Sequence, residues 1–568
     1  MRPPVAITII QCLAVGQSLQ GASSLSRSGT EEGFVAVTIA APPDCALNTV
    51  KAYTVCMKTS RRNLLQTAGL AGLPALAAPA AAAAVPDVYS AIGVRPIINA
   101  RGTFTIVSGS TMLPEARAAM DAAAQRYVHM DELMDAAGAR LAQLTGAEWG
   151  MVTCGCSAAI THATAACVAG GNPDLHVRLP DLRGFAKDEV IIPANSRNVY
   201  DAAIRAVGVR IIEVSTPEEL ELAIGPRTAM IYILAGPGAE RGALPFETVV
   251  KHAAPHKIPI LVDAAAEILT VPNVHLQRGA TLVTYSGGKC IRGPQTAGLL
   301  LGKKSIVQAA WVHSAPHHGF ARALKIGKEE TMGMLAAVEM WAKRDHKAEW
   351  ARWMGWLNTV KTRLAPLSHL QLNIQETNEL SNRTPSLQVR WDAAKFDVSG
   401  VQMGQRLMDG EPRMTVATNQ GGINVVAYMM APGDAEQVAE ALHRELSKLK
   451  AQSAPAPSPS AFDLSGRWAV RIDFLSGSST HHLDLLHRGA ELSGTHQGDF
   501  ASRPLRGNVD GAALEFSSSL NENHGDSLQF RFSGQAASAG ELSGKLDMGE
   551  YRGAAWSAKR APTERRQA

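Results

Sequence analysis

The 568-residue chain is poor in cysteine, with seven in all, too few to build a disulfide scaffold. It lacks an excess of one charge: 55 Lys and Arg against 51 Asp and Glu leave a net charge of +4. That balance gives no support to a nucleic-acid binder or a polybasic membrane protein. It also lacks an apolar run fit to span a bilayer, since its one Ala-rich stretch is short and broken by proline. What is present, 46% hydrophobic and 19% charged residues, is the composition of a folded chain. At roughly 150 residues per domain the length predicts about three to four domains.

From Met57 the chain reads MKTSRRNLLQTAGLAGLPALAAPAAAAAVPD. Arg61 and Arg62 form a pair, a weakly apolar Ala/Leu/Gly stretch follows, and small residues run to Ala84. This order predicts a twin-arginine signal peptide over 57–84, hence export and a periplasmic location. Residues 1–56 precede it and are expected to be an extension ahead of a true start at Met57. They hold Cys12, Cys45 and Cys56, leaving Cys154, Cys156, Cys167 and Cys290 in the mature chain.

The second boundary is the Pro/Ser/Ala tether AQSAPAPSPSA at 451–461, expected to be extended and solvated. Between 88 and 450 the texture is βα. Apolar runs of strand length recur at 150–153, 189–192, 210–214, 229–234, 258–262, 281–285 and 298–301. Stretches of helical spacing lie between them at 157–168, 200–207, 217–223 and 245–254. Apolar strands alternating with helices predict a mostly parallel sheet covered on both faces, from about 100 to 330. One long helix is predicted over 328–363, on the three-residue recurrence of Met332, Leu335, Val338 and Trp341. Strands at 386–391 and 414–417 and a last helix at 435–449 then predict a smaller α+β domain over about 360–450. After the tether, 462–560 alternates aromatic and polar residues and repeats Leu/Phe-x-Gly at 492–494, 505–507, 532–534 and 542–544. That spacing predicts an antiparallel meander closing into a small, lipocalin-like barrel. It carries no catalytic constellation, and its His481, His482 and His487 are expected to be exposed.

Open α/β sheets bind ligands at the C-terminal ends of their strands. Four features fall there. Cys154-Gly155-Cys156-Ser157 joins a strand to a helix, whose free N–H groups would cradle an anion. Asp263 ends the strand IPILVD, where a buried carboxylate needs a partner such as a protonated pyridine nitrogen. Ser286-Gly287-Gly288-Lys289 ends another strand; its lysine is led in by buried residues and flanked by glycines that would let a ligand approach. A desolvated lysine there can form a Schiff base. Finally, Arg322, Lys325, Lys328 and Glu329 gather at the start of the long helix.

A phosphate cradle, then an Asp ending a strand, then a Ser-x-x-Lys is the order of fold-type-I pyridoxal-phosphate enzymes. The segments GVRPIINARGTFTIVSGS, LTGAEWGMVTCGCSAAI, SRNVYDAAIRAVGVRIIEV, ILVDAAAE, SGGKCIRGPQTAGLLLGKK and RALKIGKEE resemble the family of bacterial selenocysteine synthase (seryl-tRNA selenium transferase). The likeness is greatest to its shorter relatives, which include D-glucosaminate-6-phosphate ammonia-lyase-like proteins, and covers roughly 88–449. It implies a large parallel-rich domain plus a small α+β domain, and pyridoxal 5'-phosphate as cofactor. Lys289 would hold that cofactor as a Schiff base and Asp263 would pair with its ring nitrogen. Gly155, Cys156, Ser157 and Ser286 would take its phosphate. Arg197 and Tyr200 would face cofactor or substrate, and Arg292 and Gln295 would complete the lysine loop. Arg322 and Arg413 would meet the substrate, Arg413 by bidentate pairing with its carboxylate.

Two departures narrow the function. The synthase's tRNA-binding N-terminal region is replaced by the signal segment, and its SGDK-like loop has Gly288 here. An exported protein meets no aminoacyl-tRNA, so the expected partner is a small free amino acid or amino sugar acid. The reaction would be elimination, racemisation or transfer at its α-carbon, in a homodimer or larger homo-oligomer. The alternatives are a true seryl-tRNA selenium transferase and a catalytically idle relative that binds a ligand. No metal site is expected: the cysteines are read as structural, and His313, His317 and His318 as polar tips of a mobile active-site loop.

Overall fold

A computed structural model of the chain describes residues 33–39, 53–59, 88–451, 458–460, 462–521 and 527–561. Residues 1–94 and 95–568 form two compact units. The first contains an antiparallel pair, β1 (Gly33–Ile39) and β2 (Tyr53–Thr59), with Gly33 opposite Thr59. Most of the expected extension and signal segment lies outside the described residues, as do residues 452–457 and 461 of the expected tether. Among the described residues no helix is long and apolar enough to cross a membrane.

The second unit begins with a short strand, β3 (Ile98–Ala100), and two helices, Pro114–Ala124 and Met130–Thr145. Seven strands then build the large sheet: β4 (Trp149–Thr153), β5 (Glu189–Pro193), β6 (Arg210–Val214), β7 (Thr228–Leu234), β8 (Ile260–Asp263), β9 (Leu282–Ser286) and β10 (Gly298–Gly302). Their order is β4-β10-β9-β8-β7-β5-β6. β10 runs antiparallel to both β4 and β9, while the pairings among β5 to β9 are parallel. Strands such as Glu189–Pro193 are buried along their whole length because helices cover both faces, which explains their unbroken apolar runs. Helix Cys156–Ala169 is buried nearly all round and fills one such layer.

The long helix expected over 328–363 is two helices, Lys328–Lys343 and His346–Leu364. Arg344 is extended, and the Asp345 side chain accepts from the amides of Lys347 and Ala348 to cap the second helix. An Asp within a helical apolar rhythm therefore marks a new start. The small domain is a five-stranded sheet of β11 (Gln371–Gln375), β12 (Ser386–Arg390), β13 (Met414–Asn419) and β14 (Gly422–Val426), closed by β3 in the order β11-β12-β14-β13-β3. β3 pairs parallel with β13, so this sheet is not contiguous in sequence.

The C-terminal strands are β15 (Gly466–Asp473), β16 (Ser478–Arg488), β17 (Glu491–Gln497), β18 (Ser502–Asp510), β19 (Ala513–Asn521), β20 (Ser527–Ser538), β21 (Glu541–Asp547) and β22 (Gly553–Arg560). They pair in sequence order and β22 returns to β15, closing an antiparallel barrel as the alternation predicted. Large domain, small domain and barrel each have their own apolar core, with Ile191 and Leu300, Val389 and Leu442, and Trp468 and Phe532 among the respective members. The expected exposure of the barrel histidines fails: His481 faces the barrel interior and is 3% exposed, and the His487 side chain is 8% exposed. Leu483 and Leu485 are also buried, so His481 sits on the inner side of the two-residue alternation.

Candidate active site

Asp263 is the last residue of β8, at the end of the parallel sheet where helices begin, and is 2% exposed. Three neutral groups hold its carboxylate. The Tyr232 hydroxyl donates to Oδ2 at 2.8 Å, the Ala265 amide donates to Oδ1 at 3.1 Å, and the Cys156 thiol donates to Oδ1 at 3.3 Å. Tyr232 comes from the adjacent strand β7, and its oxygen also accepts from Asn198 Nδ2 at 3.0 Å. Thr284 on β9 lies 3.3 Å from Cys156 Sγ and donates to Leu299 O. Burial first, and then the Asp263 charge, push both the Tyr232 hydroxyl and the Cys156 thiol well up. Both therefore stay protonated and donate at neutral pH.

Lys289 follows β9 in a tight turn, its carbonyl accepting from the Arg292 amide at 3.0 Å. Its ammonium acts electrostatically on the Cys156 thiol, the group that donates to Asp263. Gly155 has φ +92°, and a Cβ there would meet nothing nearer than Thr296 O at 3.7 Å. It opens the N-terminus of helix Cys156–Ala169, where the first amides have no partner within the helix. The exposed Ser157 and the half-buried Ser286 border the same end of the sheet. A buried carboxylate held only by neutral donors, a lysine in the loop after the neighbouring strand and an open helix N-terminus fit pyridoxal phosphate. Asp263 would meet the ring nitrogen, Lys289 the carbonyl carbon, and the amides around Ser157, with Ser286, the phosphate.

The glycines of the lysine loop have another purpose than the one expected. A Cβ on Gly288 would lie 2.7 Å from Gln295 Cα, and one on Gly287 would lie 2.8 Å from Ala297 O. They admit the returning loop rather than a ligand. Gln295 is thus the packing partner of Gly288, and its side-chain oxygen also lies against Gly109. Arg292 sits at φ +61° and donates to Thr111 O at 2.9 Å and Thr111 Oγ1 at 3.0 Å, pinning the loop to the N-terminal segment.

The other expected residues have settings that the sequence did not show. Arg197 is locked between Asp201 at 2.7 Å and Glu213 at 2.6 Å, a pairing invisible in sequence because Glu213 lies on the neighbouring strand β6. Tyr200 is 54% exposed. Arg413 donates from Nε to the Met408 carbonyl at 3.0 Å and from Nη1 to the Arg95 carbonyl at 3.2 Å, so part of its guanidinium staples the small domain. Arg322 is exposed, ahead of helix Lys328–Lys343. The Cys156 side chain turns to Asp263 and braces it, while its backbone amide lies at the helix N-terminus. His313 is buried and stacked 4.5 Å from the His176 ring, not on a loop tip. Cys290 turns from the lysine to donate to Glu267 O. Tyr232, Asn198 and Thr284 were missed; the signal for Tyr232 was a single hydroxyl inside the apolar strand AMIYIL.

No family model matches the chain. It is 30% identical over 335 residues to D-glucosaminate-6-phosphate ammonia lyase of Salmonella typhimurium (strain 14028s / SGSC 2262), across 57% of this chain and 88% of that protein. It is 34% identical over 266 residues to 5'-C-glycyluridine monooxygenase-decarboxylase of a Streptomyces species, across 44% of this chain and 64% of the other. To L-seryl-tRNA(Sec) selenium transferase of Moorella thermoacetica it is 25% identical over 286 residues, 44% and 57% of the two chains. The solved structure of D-glucosaminate-6-phosphate ammonia-lyase superposes with a TM-score of 0.56 at 28% identity, covering 64% of this chain and 99% of that one. With the buried Asp263, Lys289 after the neighbouring strand and the helix-end cradle on one sheet, the chain belongs to the D-glucosaminate-6-phosphate ammonia lyase family of fold-type-I pyridoxal-phosphate enzymes.

Proposed function

We propose that this pyridoxal-phosphate enzyme acts at the α-carbon of a small β-hydroxy amino acid or amino sugar acid: the α-proton and the β-hydroxyl leave together as water, and hydrolysis of the resulting enamine releases ammonia and a 2-keto acid. The observation that carries the reading is Asp263, a buried carboxylate held by three neutral donors at the end of the strand that neighbours the one leading to Lys289. When bound, the cofactor supplies an electron sink for the pair left on the α-carbon. Asp263 keeps a proton on the ring nitrogen, because separating that proton from a buried carboxylate is costly. Tyr232 and Cys156 fix the direction of the carboxylate, and Asn198 fixes Tyr232. Lys289 Nζ moves the proton at the substrate α-carbon. The helix N-terminus and Ser286 anchor the phosphate and so orient the plane of the ring. The 30% identical ammonia lyase favours elimination over transfer. A free small substrate, an oligomeric enzyme and export through the Arg61–Arg62 segment complete the proposal. The last rests on sequence order alone.

The test is direct. Purified protein with added pyridoxal phosphate is assayed for ammonia and keto-acid release against a panel of D- and L-amino acids and amino sugar acids. Release of ammonia from one class, abolished in Lys289→Ala, is the expected result. Racemisation or amino transfer without net ammonia release would overturn the elimination reading.

A further inference from the structure

The chain passes from the large domain to the small one at the break between two helices. Helix Lys328–Lys343 gives Met334, Val338 and Trp341 to the large-domain core, and helix His346–Leu364 gives Leu357, Val360 and Leu364 to the small-domain core. Arg344 stands at that break, in extended conformation, with its side chain 12% exposed. Its guanidinium turns back onto the lysine turn. Nη1 donates to Cys290 O at 2.9 Å and Nη2 to Ile291 O at 3.3 Å, the carbonyls of the two residues that follow Lys289. The guanidinium carbon lies 4.9 Å over the Trp341 ring, and Nε lies 3.8 Å from Glu349 Oε2.

Trp341 holds the other loop. It is 6% exposed, and its Nε1 donates at 2.6 Å to Leu269 O, in the loop that follows Asp263. The two loops are themselves joined where Cys290 Sγ donates to Glu267 O at 3.3 Å. The loop after Asp263, the turn after Lys289 and the domain break therefore meet at one pair of side chains, Trp341 and Arg344.

A buried guanidinium is costly unless its N–H groups are satisfied, and burial does hold Arg344 below its ordinary pKa, with Glu349 opposing. Here the N–H groups are spent on two consecutive backbone carbonyls. Charge-assisted bonds are stronger than neutral ones, and a planar fork fixes two acceptors at once where an ammonium acts as a point charge. The same turn is held from another side by Arg292 on Thr111. A lysine side chain is a flexible stem, so its backbone must be fixed for Nζ to return to one place.

We propose that Arg344 is a positioning residue for Lys289. From the domain break it holds the lysine turn in place against the loop that carries Asp263. This role rests on the reading that Lys289 carries the cofactor, and it adds to that reading a residue that touches neither cofactor nor substrate.

The experiment adds pyridoxal phosphate to the full chain and follows the rate and yield of the borohydride-trapped adduct on the Lys289 peptide. Arg344→Ala should slow trapping by about ten-fold or more while the protein remains folded. Millimolar guanidinium should restore part of the rate, since Arg344 lines a cavity of about 760 Å³ that a small cation can enter. Arg344→Lys, which keeps the charge and loses the fork, should restore little. Arg390→Ala is the control. It removes a comparable bond within the small domain, from Arg390 Nη1 to Ile423 O at 2.6 Å, and should leave trapping unchanged. Slow trapping that guanidinium does not restore and that Arg390→Ala reproduces is general loosening and overturns the proposal. A wild-type adduct on Lys289 that Arg344→Ala leaves unchanged in rate and yield also overturns it. If Arg344→Ala does not fold, Arg344→Gln, a shorter and neutral donor, decides by the same comparison. A wild-type adduct on another lysine instead overturns the reading of Lys289, and this role with it.

Discussion

Tyr232 donates to Asp263 across two neighbouring parallel strands, at 2.8 Å, from a position two residues short of the strand end. The register places Leu234, not Tyr232, opposite Asp263, so the long phenol reaches diagonally to the carboxylate. It also satisfies an oxygen that would otherwise be left unpartnered in the sheet interior. Tyr232→Phe should therefore keep the fold and reduce turnover by about ten-fold, with a smaller change in substrate KM. Steady-state kinetics at saturating cofactor check it; an unchanged kcat would show that the other two donors suffice.

Asp263→Ala should do far more. Removing the carboxylate leaves the ring nitrogen without a counter-charge and should lower kcat by two or more orders of magnitude. Lys289→Ala should abolish activity and the borohydride-trapped cofactor adduct together. Peptide mapping of the reduced protein checks the second outcome, and an adduct on another lysine would move the assignment.

Gly298 packs against the turn before helix Cys156–Ala169. A Cβ there would lie 2.5 Å from Gly155 C and 2.6 Å from Cys156 N, both backbone atoms that cannot rotate away. Gly298→Ala should cost about 1–3 kcal/mol in stability and open the phosphate cradle. Denaturant unfolding and cofactor titration measure the two effects. A full-affinity, fully stable variant would mean that the turn relaxes freely.

Acid should weaken the large domain through His162. It is fully buried, and its pKa is lowered from 6.5 to about 4, by burial first, offset in part by the hydrogen bond to Ala158 O and with the charge of His313 adding to the lowering. The unfolded chain binds this proton near pH 6.5 and the folded chain only near pH 4, so stability falls as pH drops through that window. The loss is on the order of 3 kcal/mol by pH 4. Urea unfolding at pH 7 and pH 4.5, for wild type and His162→Gln, checks it, since the variant should show a shallower fall.

The three cores share no members, and the catalytic residues all precede the 451–461 segment. A chain ending at Lys450 should therefore fold, bind pyridoxal phosphate and retain chemistry on small substrates. Loss of solubility or of the yellow cofactor on truncation, with the full chain yellow, would show that the barrel covers core or active-site surface.

Local pattern was enough for the parallel sheet, the barrel and the burial of Asp263 at a strand end. A buried parallel strand must be an apolar run, a barrel strand must alternate, and each chemical residue sits where such a run ends. Arg197, Arg413 and His481 have partners that local pattern did not reveal, because an arginine or histidine reads the same whether it faces a ligand, a carboxylate on the next strand or a carbonyl from a distant segment. Glu213 is sixteen residues from Arg197 and Arg95 is over three hundred from Arg413, so only the folded chain decides which partner arrives. The same holds for the brace around Asp263. Cys156, Tyr232 and Thr284 come from three different elements, and their common purpose exists only once strand register and helix placement bring them within hydrogen-bond range of one another.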